Sequence, residues 1–230
     1  MTYESHKGEI VKLAGSLSTT AGVSRGRVFR DFIEGAACEL SSVVRPNPKR
    51  AQRLTQILED YPVVQRPLFG QMLGELTLAL ECRLGDALGE IFMAMELGDS
   101  RHGQFFTPYP VCKLMASMQR GLTEVIEAHG FATVCDPACG AGATLIAIAE
   151  HVLECDYNFQ QHLHITATDL DIRAAHMCFV QLSLIGAPAV VFHGNSLTGE
   201  QFSAWETPFH HLGLWDARLK ARELLDVVAD

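Results

Sequence analysis

The chain has 230 residues, of which 48% are hydrophobic and 20% charged, and this ordinary globular usage excludes disordered, collagen-like and coiled-coil proteins. No apolar run approaches about 18 residues and no signal-peptide pattern opens the chain, so we expect a cytoplasmic protein without a membrane segment. The net charge is -9, yet residues 1–54 hold nine Lys and Arg against five acids. Any nucleic-acid contact should therefore involve this segment, although a solvated basic helix face is the favoured interpretation.

The first 100 residues are predicted to be helical after a loose start. Residues 1–22 are polar and rich in small residues, which favours an irregular segment. From Arg25 to Leu40, apolar residues recur at three- and four-residue steps, and similar one-sided patterns follow. These patterns predict a helical N-terminal region over residues 1–100, with helices at 25–40, 51–61, 68–81 and 84–97.

Residues 101–230 show a different pattern, in which helices alternate with short apolar strands. The first helix of this part is predicted over 111–128. Its inward-facing residues are expected to be Leu114, Met115, Met118, Leu122, Val125 and Ile126. Strands and helices then alternate, which predicts an α/β fold with a parallel sheet and right-handed crossovers. The predicted order is strand 131–135, helix 144–153, strand 164–168, helix 172–185 and strand 189–193.

A last helix is predicted over 208–228. Its Leu212 and either Leu224 or Leu225 are expected to face the protein. Trp205 and Trp215 are interpreted as anchors that pack this helix onto the sheet.

Residues 136–142, with the sequence DPACGAG, form the turn after the first strand. Its small residues let the backbone approach a ligand, and the next helix directs its N–H groups into the same space. Such a turn is a nucleotide site by general rule. The G-x-G spacing lacks the third glycine of a dinucleotide site, and Asp136 would repel a pyrophosphate. The turn therefore suits a ligand with a cationic amino group, with a plain tight turn as the alternative.

The second strand ends in the sequence DLD at residues 169–171. A carboxylate at this end of a strand can accept both hydroxyls of a ribose. Asp136 and Asp169 together predict a pocket for an adenosine that carries an amino-acid tail. Either acid alone can instead cap a helix, which is the favoured interpretation of Asp171.

These motifs resemble those of S-adenosylmethionine-dependent N6-adenine DNA methyltransferases, most closely the modification subunits of type I restriction–modification systems. Residues 103–108, GQFFTP, and the lead-in at 86–92, DALGEIF, match further family segments in the right order. The resemblance covers roughly residues 84–197. It implies a Rossmann-like methyltransferase sheet, truncated, behind the helical N-terminal region, with residues 101–230 as the cofactor-binding domain.

The resemblance also implies a set of residues that bind S-adenosylmethionine. Residues before the sheet would touch the cofactor, the turn would surround its methionine part, and the end of the second strand would hold the ribose. Asn195 stands where the family has an acid that accepts from the adenine amino group, and an amide carbonyl can also accept. The implied set is Phe106, Thr107, Pro108, Asp136, Pro137, Ala138, Cys139, Gly140, Gly142, Asp169, Leu170 and Asn195.

The family's catalytic motif, Asn/Asp-Pro-Pro-Tyr/Phe, does not occur in the sequence. In the family its polar side chain and a prolyl carbonyl hold the target amino group, and its aromatic ring stacks on the flipped base. The nearest string is TPFH at 207–210. Residues 203–206 before it do not form an apolar strand, so Thr207 as a helix cap and Pro208 as the first helical residue is the favoured interpretation. The catalytic residues stay unknown, with Asn195 as the one candidate.

We therefore expect a DNA-modification protein of the N6-adenine DNA methyltransferase family, with DNA as substrate. The alternative is a catalytically inactive regulatory, assembly or anti-restriction subunit; a non-DNA substrate is a third possibility. Only 33 residues follow Leu197, too few for four further strands or a target-recognition domain. The far edge of strand 131–135 would then be bare. A homodimer or a methyltransferase partner is expected to cover it, through the segment around Trp205 and Trp215.

No metal site is expected. The seven cysteines include no C-x-x-C pair, so we interpret them as reduced, small apolar residues. The pairs His162/His164 and His210/His211 have no acid or cysteine at ligand spacing.

Overall fold

In the computed structural model, residues 1–95, 107–119 and 121–229 are described, the last four of them as backbone only. The helical part comprises α1 (Tyr3–Ala21), α2 (Arg25–Leu40), α3 (Pro48–Glu59), a 3₁₀ turn (Val63–Gln65), α4 (Pro67–Cys82) and α5 (Ala87–Ala94). The mixed part comprises α6 (Tyr109–Ser117), α7 (Leu122–His129), β1 (Ala132–Asp136), α8 (Ala143–Glu154), α9 (Phe159–His162), β2 (Leu163–Asp169), α10 (Ile172–Leu184), β3 (Ala189–Asn195), β4 (Glu200–Glu206), α11 (Pro208–Leu212) and α12 (Trp215–Ala229).

The predicted loose start is wrong, because α1 begins at Tyr3. Thr2 caps it through a reciprocal pair of hydrogen bonds with Ser5. Ile10, Ala14 and Leu17 follow at helical spacing and are fully buried. The polar, small residues between them obscured this sparse apolar pattern.

The single helix predicted over 111–128 is two helices, α6 and α7. Gly121 before α7 has a φ of 89°, a left-handed conformation that a continuous helix does not contain. The expected inward face is confirmed in α7, where Ile126 is buried and Leu122 and Val125 pack against the core. Its first half is wrong, because Leu114, Met115 and Met118 are exposed, so α6 presents an apolar surface to solvent.

The sheet order is β1-β2-β3-β4 among the described residues, and β1, β2 and β3 are parallel. This confirms the predicted α/β class with a parallel methyltransferase-like sheet. The interpretation of 203–206 as non-strand is wrong, because β4 pairs antiparallel with β3. Of the residues in β4, only Trp205 is buried, so the apolar signal of this edge strand is small.

The C-terminal helix differs from its prediction in its continuity and in its expected inward face. It is divided into α11 and α12, and Leu212, Leu224 and Leu225 are exposed. Trp215 does anchor α12, since it is fully buried and its ring meets that of Phe131 at 5.1 Å. Trp205 instead packs against His176 and Phe179 of α10.

Buried side chains from α1 through the sheet to Trp205 form one continuous core cluster. The domain boundary at residue 100 stays a prediction. No helix in the described ranges is both long and apolar enough to cross a membrane.

Candidate functional site

The turn at 136–142 joins the ends of β1 and β2. The N–H of Cys139 donates to the carbonyl of Thr168 at 3.0 Å. The N–H of Gly140 donates to Asp169 Oδ2 at 2.8 Å, and that of Ala138 donates to Asp136 Oδ1 at 3.0 Å. The backbone of the turn is thus held in place by two strand ends.

Glycine is required in this turn for steric reasons. Gly140 and Gly142 have φ values of 54° and 94°, where a side chain is strained. A Cβ at Gly142 would also lie 3.0 Å from Cys178 Sγ. The turn therefore brings backbone, rather than side chains, to the carboxyl ends of the strands.

Two acids at the end of β2 have different roles. Asp171 caps α10, accepting from the N–H of Arg173 at 2.9 Å, which confirms its interpretation as a helix cap. Asp169 accepts from Gly140 through one oxygen and from the N–H of Asp171 at 2.8 Å through the other. Each carboxylate oxygen has a second lone pair, so Asp169 keeps the capacity to accept from a ligand.

Asp136 and Asp169 place two acidic side chains close together in the site. Burial raises the pKa of Asp136, and the neighbouring Asp169 carboxylate raises it further, while the N–H of Ala138 lowers it. A cationic ligand beside Asp136 would favour the ionised form of that carboxyl.

Asn195 is the last residue of β3, so it lies at the same carboxyl ends of the parallel strands as Asp136 and Asp169. Its carbonyl oxygen accepts from the N–H groups of Leu197 at 3.0 Å and Thr198 at 3.4 Å. That oxygen therefore stabilises a turn, and its role as an acceptor for adenine stays a prediction. Leu170, after β2, is exposed beside the acids.

The structure places Thr107 and Pro108 at the start of α6, and Phe106 lies outside the described residues. The carbonyl of Pro108 accepts from Val111 and Cys112 in the first turn of α6. The Tyr109 hydroxyl donates to Glu150 of α8 at 2.8 Å. Thr107 and Pro108 are thereby connected to the helix that follows the turn, and their contact with a cofactor stays a prediction.

A cavity of about 520 Å³ extends from the turn along β1. It is lined by Asp136 and Ala138, by Thr133 and Val134 of β1, and by Met115 and Leu145. This volume lies within the usual range for small-molecule sites. Within the described residues β1 pairs only with β2, so the cavity follows the unpaired side of β1, which we name the free edge of β1.

Sequence reasoning missed Gln181, a fully buried residue of α10. Its amide donates to the carbonyl of Ala141 and to Asp86 Oδ1, both at 2.8 Å, and accepts from the N–H of Leu88 at 3.0 Å. Gln181 thus connects the turn to the start of α5. The available signal was a polar residue inside the apolar run of α10.

Comparison with known proteins gives one family and one similar structure. A sequence model of the N-6 DNA methylase family matches residues 83–213, and no curated protein sequence matches the chain. A solved structure from Listeria monocytogenes, assigned to the class I S-adenosylmethionine-dependent methyltransferases, has a TM-score of 0.47 and 18% identity. The alignment covers 84% of this chain and 54% of that one, so this chain spans about half of its length.

Proposed function

Because this chain belongs to the N-6 DNA methylase family, we propose that it binds S-adenosylmethionine and serves the N6-methylation of adenine in DNA. The observation that carries the proposal is the turn at 136–142, whose Gly140 N–H is bonded to Asp169. This bond holds two carboxylates and the half-buried backbone of Gly140 together at the carboxyl ends of the strands.

The donor and acceptor set of the site fits this cofactor. S-adenosylmethionine carries a cationic amino group and sulfonium, together with a ribose diol. Asp136 is a partly buried carboxylate with a raised pKa, which would gain from a nearby cation. Asp169 has lone pairs for two hydroxyls. Gly140 and Ala138 have too little side chain to obstruct a ligand.

The roles of this chain's residues follow from that fit. When bound, the cofactor supplies an electrophilic methyl group. Asp136 would accept from the amino group and Asp169 from the ribose, while Leu170 would cover an apolar part of the ligand. Because Gln181 already holds the carbonyl of Ala141, the turn needs little ordering on binding, which lowers its entropic cost.

A pocket for the target base must come from outside the TPFH segment. Thr207 is fully buried, and its hydroxyl donates to the carbonyl of Ala187 and accepts from the N–H of Ala189. This places Thr207 at the start of β3, the opposite end from Asp169. Its hydroxyl is used within the fold, so the segment offers no group for the amino group of a base.

We therefore propose that catalysis requires a second methyltransferase-like chain, either a second copy or a partner subunit. We place this second chain at the free edge of β1. That edge leads to Asp136 at the end of the strand and lies beside the apolar surface of α6. Unpaired strand edges favour pairing with another chain. DNA would then bind to the assembled pair.

The alternative function is a cofactor-binding subunit without catalysis, in regulation, assembly or anti-restriction. The lack of Asn/Asp-Pro-Pro-Tyr/Phe in the sequence favours it. Transfer of tritium from labelled cofactor into unmethylated DNA separates the two. The isolated chain should transfer none, and a catalytic role requires that the assembled pair does.

Calorimetry with S-adenosylmethionine and S-adenosylhomocysteine tests the cofactor site. Removing a charge-assisted hydrogen bond costs about 1.5–3 kcal/mol, so Asp169→Ala should weaken binding by roughly tenfold or more. Asp60→Ala, at the end of α3, is the matched control and should bind as the wild type does. No heat and no thermal shift with the wild type at millimolar cofactor would refute the cofactor site.

A further inference from the structure

A cluster of imidazoles and acids lies at the amino ends of the strands, opposite the candidate cofactor site. His211 Nε2 lies 3.2 Å from Glu206 Oε2, and His210 Nε2 lies 3.0 Å from Asp216 Oδ1. His210 Nδ1 lies 3.0 Å from Nε2 of His164, near the start of β2. Four elements, β2, β4, α11 and α12, thus meet through these side chains.

One donor atom from each of Glu206, His210 and His211 lies within 4.8 Å of the other two. Two imidazoles and one carboxylate form a common ligand set for zinc, with a fourth position left for water or another oxygen. We propose that Glu206, His210 and His211 form a divalent transition-metal site, of the zinc type, that stabilises the C-terminal segment.

The state of His211 supports metal binding. Its side chain is only 9% exposed, and its Nδ1 is buried without a hydrogen-bond partner among the described residues. Imidazole nitrogens are common metal ligands, so this buried ring beside Glu206 is suited to hold an ion.

The surroundings of His210 resemble those of a metal ligand. Ligating histidines usually bond through their second nitrogen to another group that fixes the ring. His164 occupies this position, because its Nε2 lies 3.0 Å from Nδ1 of His210. The other nitrogen of His210, Nε2, lies beside Asp216 and is the one available to the ion.

The charges around the cluster limit its affinity but do not block it. Arg45 Nη1 lies 3.9 Å from Glu206 Oε2, at the limit of an ion pair, and the Arg45 side chain is exposed. An ion can displace this guanidinium toward solvent. Asp216 adds a further negative charge beside His210.

The site would be structural. His164 and Asp169 are separated by five residues of β2, roughly 16 Å at 3.3 Å per residue, so the ion would not reach the cofactor. It would instead connect the end of β4 to α11. No metal was expected because Glu206, which precedes His210 by four residues in the sequence, was overlooked as a ligand. The turn between β4 and α11 brings Glu206 to the histidines.

Titration of the metal-free full chain with Zn²⁺ by calorimetry, and with Co²⁺ by visible absorption, tests the proposal. We expect one equivalent to bind, with a melting midpoint raised by at least about 4 °C in excess Zn²⁺. Both His211→Ala and Glu206→Gln should lower the affinity by at least about 100-fold. Glu206→Gln keeps the size of the side chain, so it serves if His211→Ala fails to fold.

Two controls address other binding groups. His129→Ala removes an exposed imidazole at the end of α7 and should bind metal as the wild type does. Cys155→Ser tests a competing pair, since Cys155 Sγ lies 3.8 Å from His151 Nε2. The proposal is overturned if no metal binds, if binding survives both ligand variants, or if Cys155→Ser abolishes it.

Discussion

The two edges of the sheet differ in how their backbone is protected. At the β4 edge, the Arg50 guanidinium lies 3.7 Å from the centre of the Trp205 ring and donates to the carbonyl of Ala204 at 2.5 Å. The pairing of β4 with β3 is also irregular, at His193 and Gly194 of β3. Covering charges and irregular register are the usual means by which proteins block an edge.

At the β1 edge, protection is found only at the start of the strand, within the described residues. Arg222 donates to the carbonyl of Phe131 at 2.8 Å. Beyond it, Thr133 and Cys135 are exposed, and the neighbouring surface of α6 is apolar. The difference indicates that β4 terminates the sheet, whereas β1 is suited to contact with another chain.

The largest expected effect is on association at the free edge of β1. Met115 lines the cavity there and is 46% exposed. An unpaired ammonium in an apolar contact costs several kcal/mol, so Met115→Lys should weaken association by at least roughly 100-fold. Light scattering at micromolar concentration measures this as a change from an assembled mass to the monomer mass.

Val64→Lys is the matched control, because Val64 is 86% exposed on the 3₁₀ turn and does not line this cavity. It should associate as the wild type does. The wild type could instead be a clean monomer that captures no methyltransferase partner. That result would show that the β1 edge needs no cover, and the inferred difference between the two edges would be wrong.

Local sequence determined which parts of the molecule could be predicted. The turn at 136–142 depends on adjacent residues, Asp136 and two glycines, so its position between strand and helix could be predicted, and its ligand stays a prediction. The break before α7 was missed, although Gly121 marks it. The pattern of β4 was missed because Trp205 is its one buried residue and the partners of that ring belong to α10.

Gln181 and the cluster around His210 show the limit of this reasoning. Gln181 is bonded to Asp86, which is 95 residues distant in the chain, and His210 is paired with His164, 46 residues away. Their partners depend on how the helices and strands pack. A spacing rule cannot supply them.

A smaller effect is expected on the pH dependence of cofactor binding. Burial, together with Asp169, raises the pKa of Asp136. Protonation removes the charge that a cationic ligand would meet. Affinity for S-adenosylmethionine should therefore decrease as the pH falls through this raised pKa, by about tenfold in all. Calorimetry over a series of falling pH values measures it.

Asp136→Asn keeps the size of the side chain and should give a flat profile, whereas Asp60→Asn should keep the wild-type slope. Identical profiles for the wild type and Asp136→Asn would exclude Asp136 as the titrating group. A chain bound at the free edge of β1 would bury Asp136 further, so the midpoint should move to higher pH in the assembled protein.

The smallest effect is expected at the protected edge. Arg50→Met keeps the apolar stem of the side chain but removes both the contact with Trp205 and the hydrogen bond to Ala204. A cation–π contact and a hydrogen bond each contribute about 1 kcal/mol, so the free energy of unfolding in urea should fall by about 1–2 kcal/mol. Lys49→Met, at the adjacent exposed position of α3, should change it by less than about 0.5 kcal/mol.

Because Arg50 covers β4 and not β1, Arg50→Met should leave association unchanged in the same light-scattering measurement that tests Met115→Lys. Equal losses of association in both variants would mean that the chain assembles through both edges.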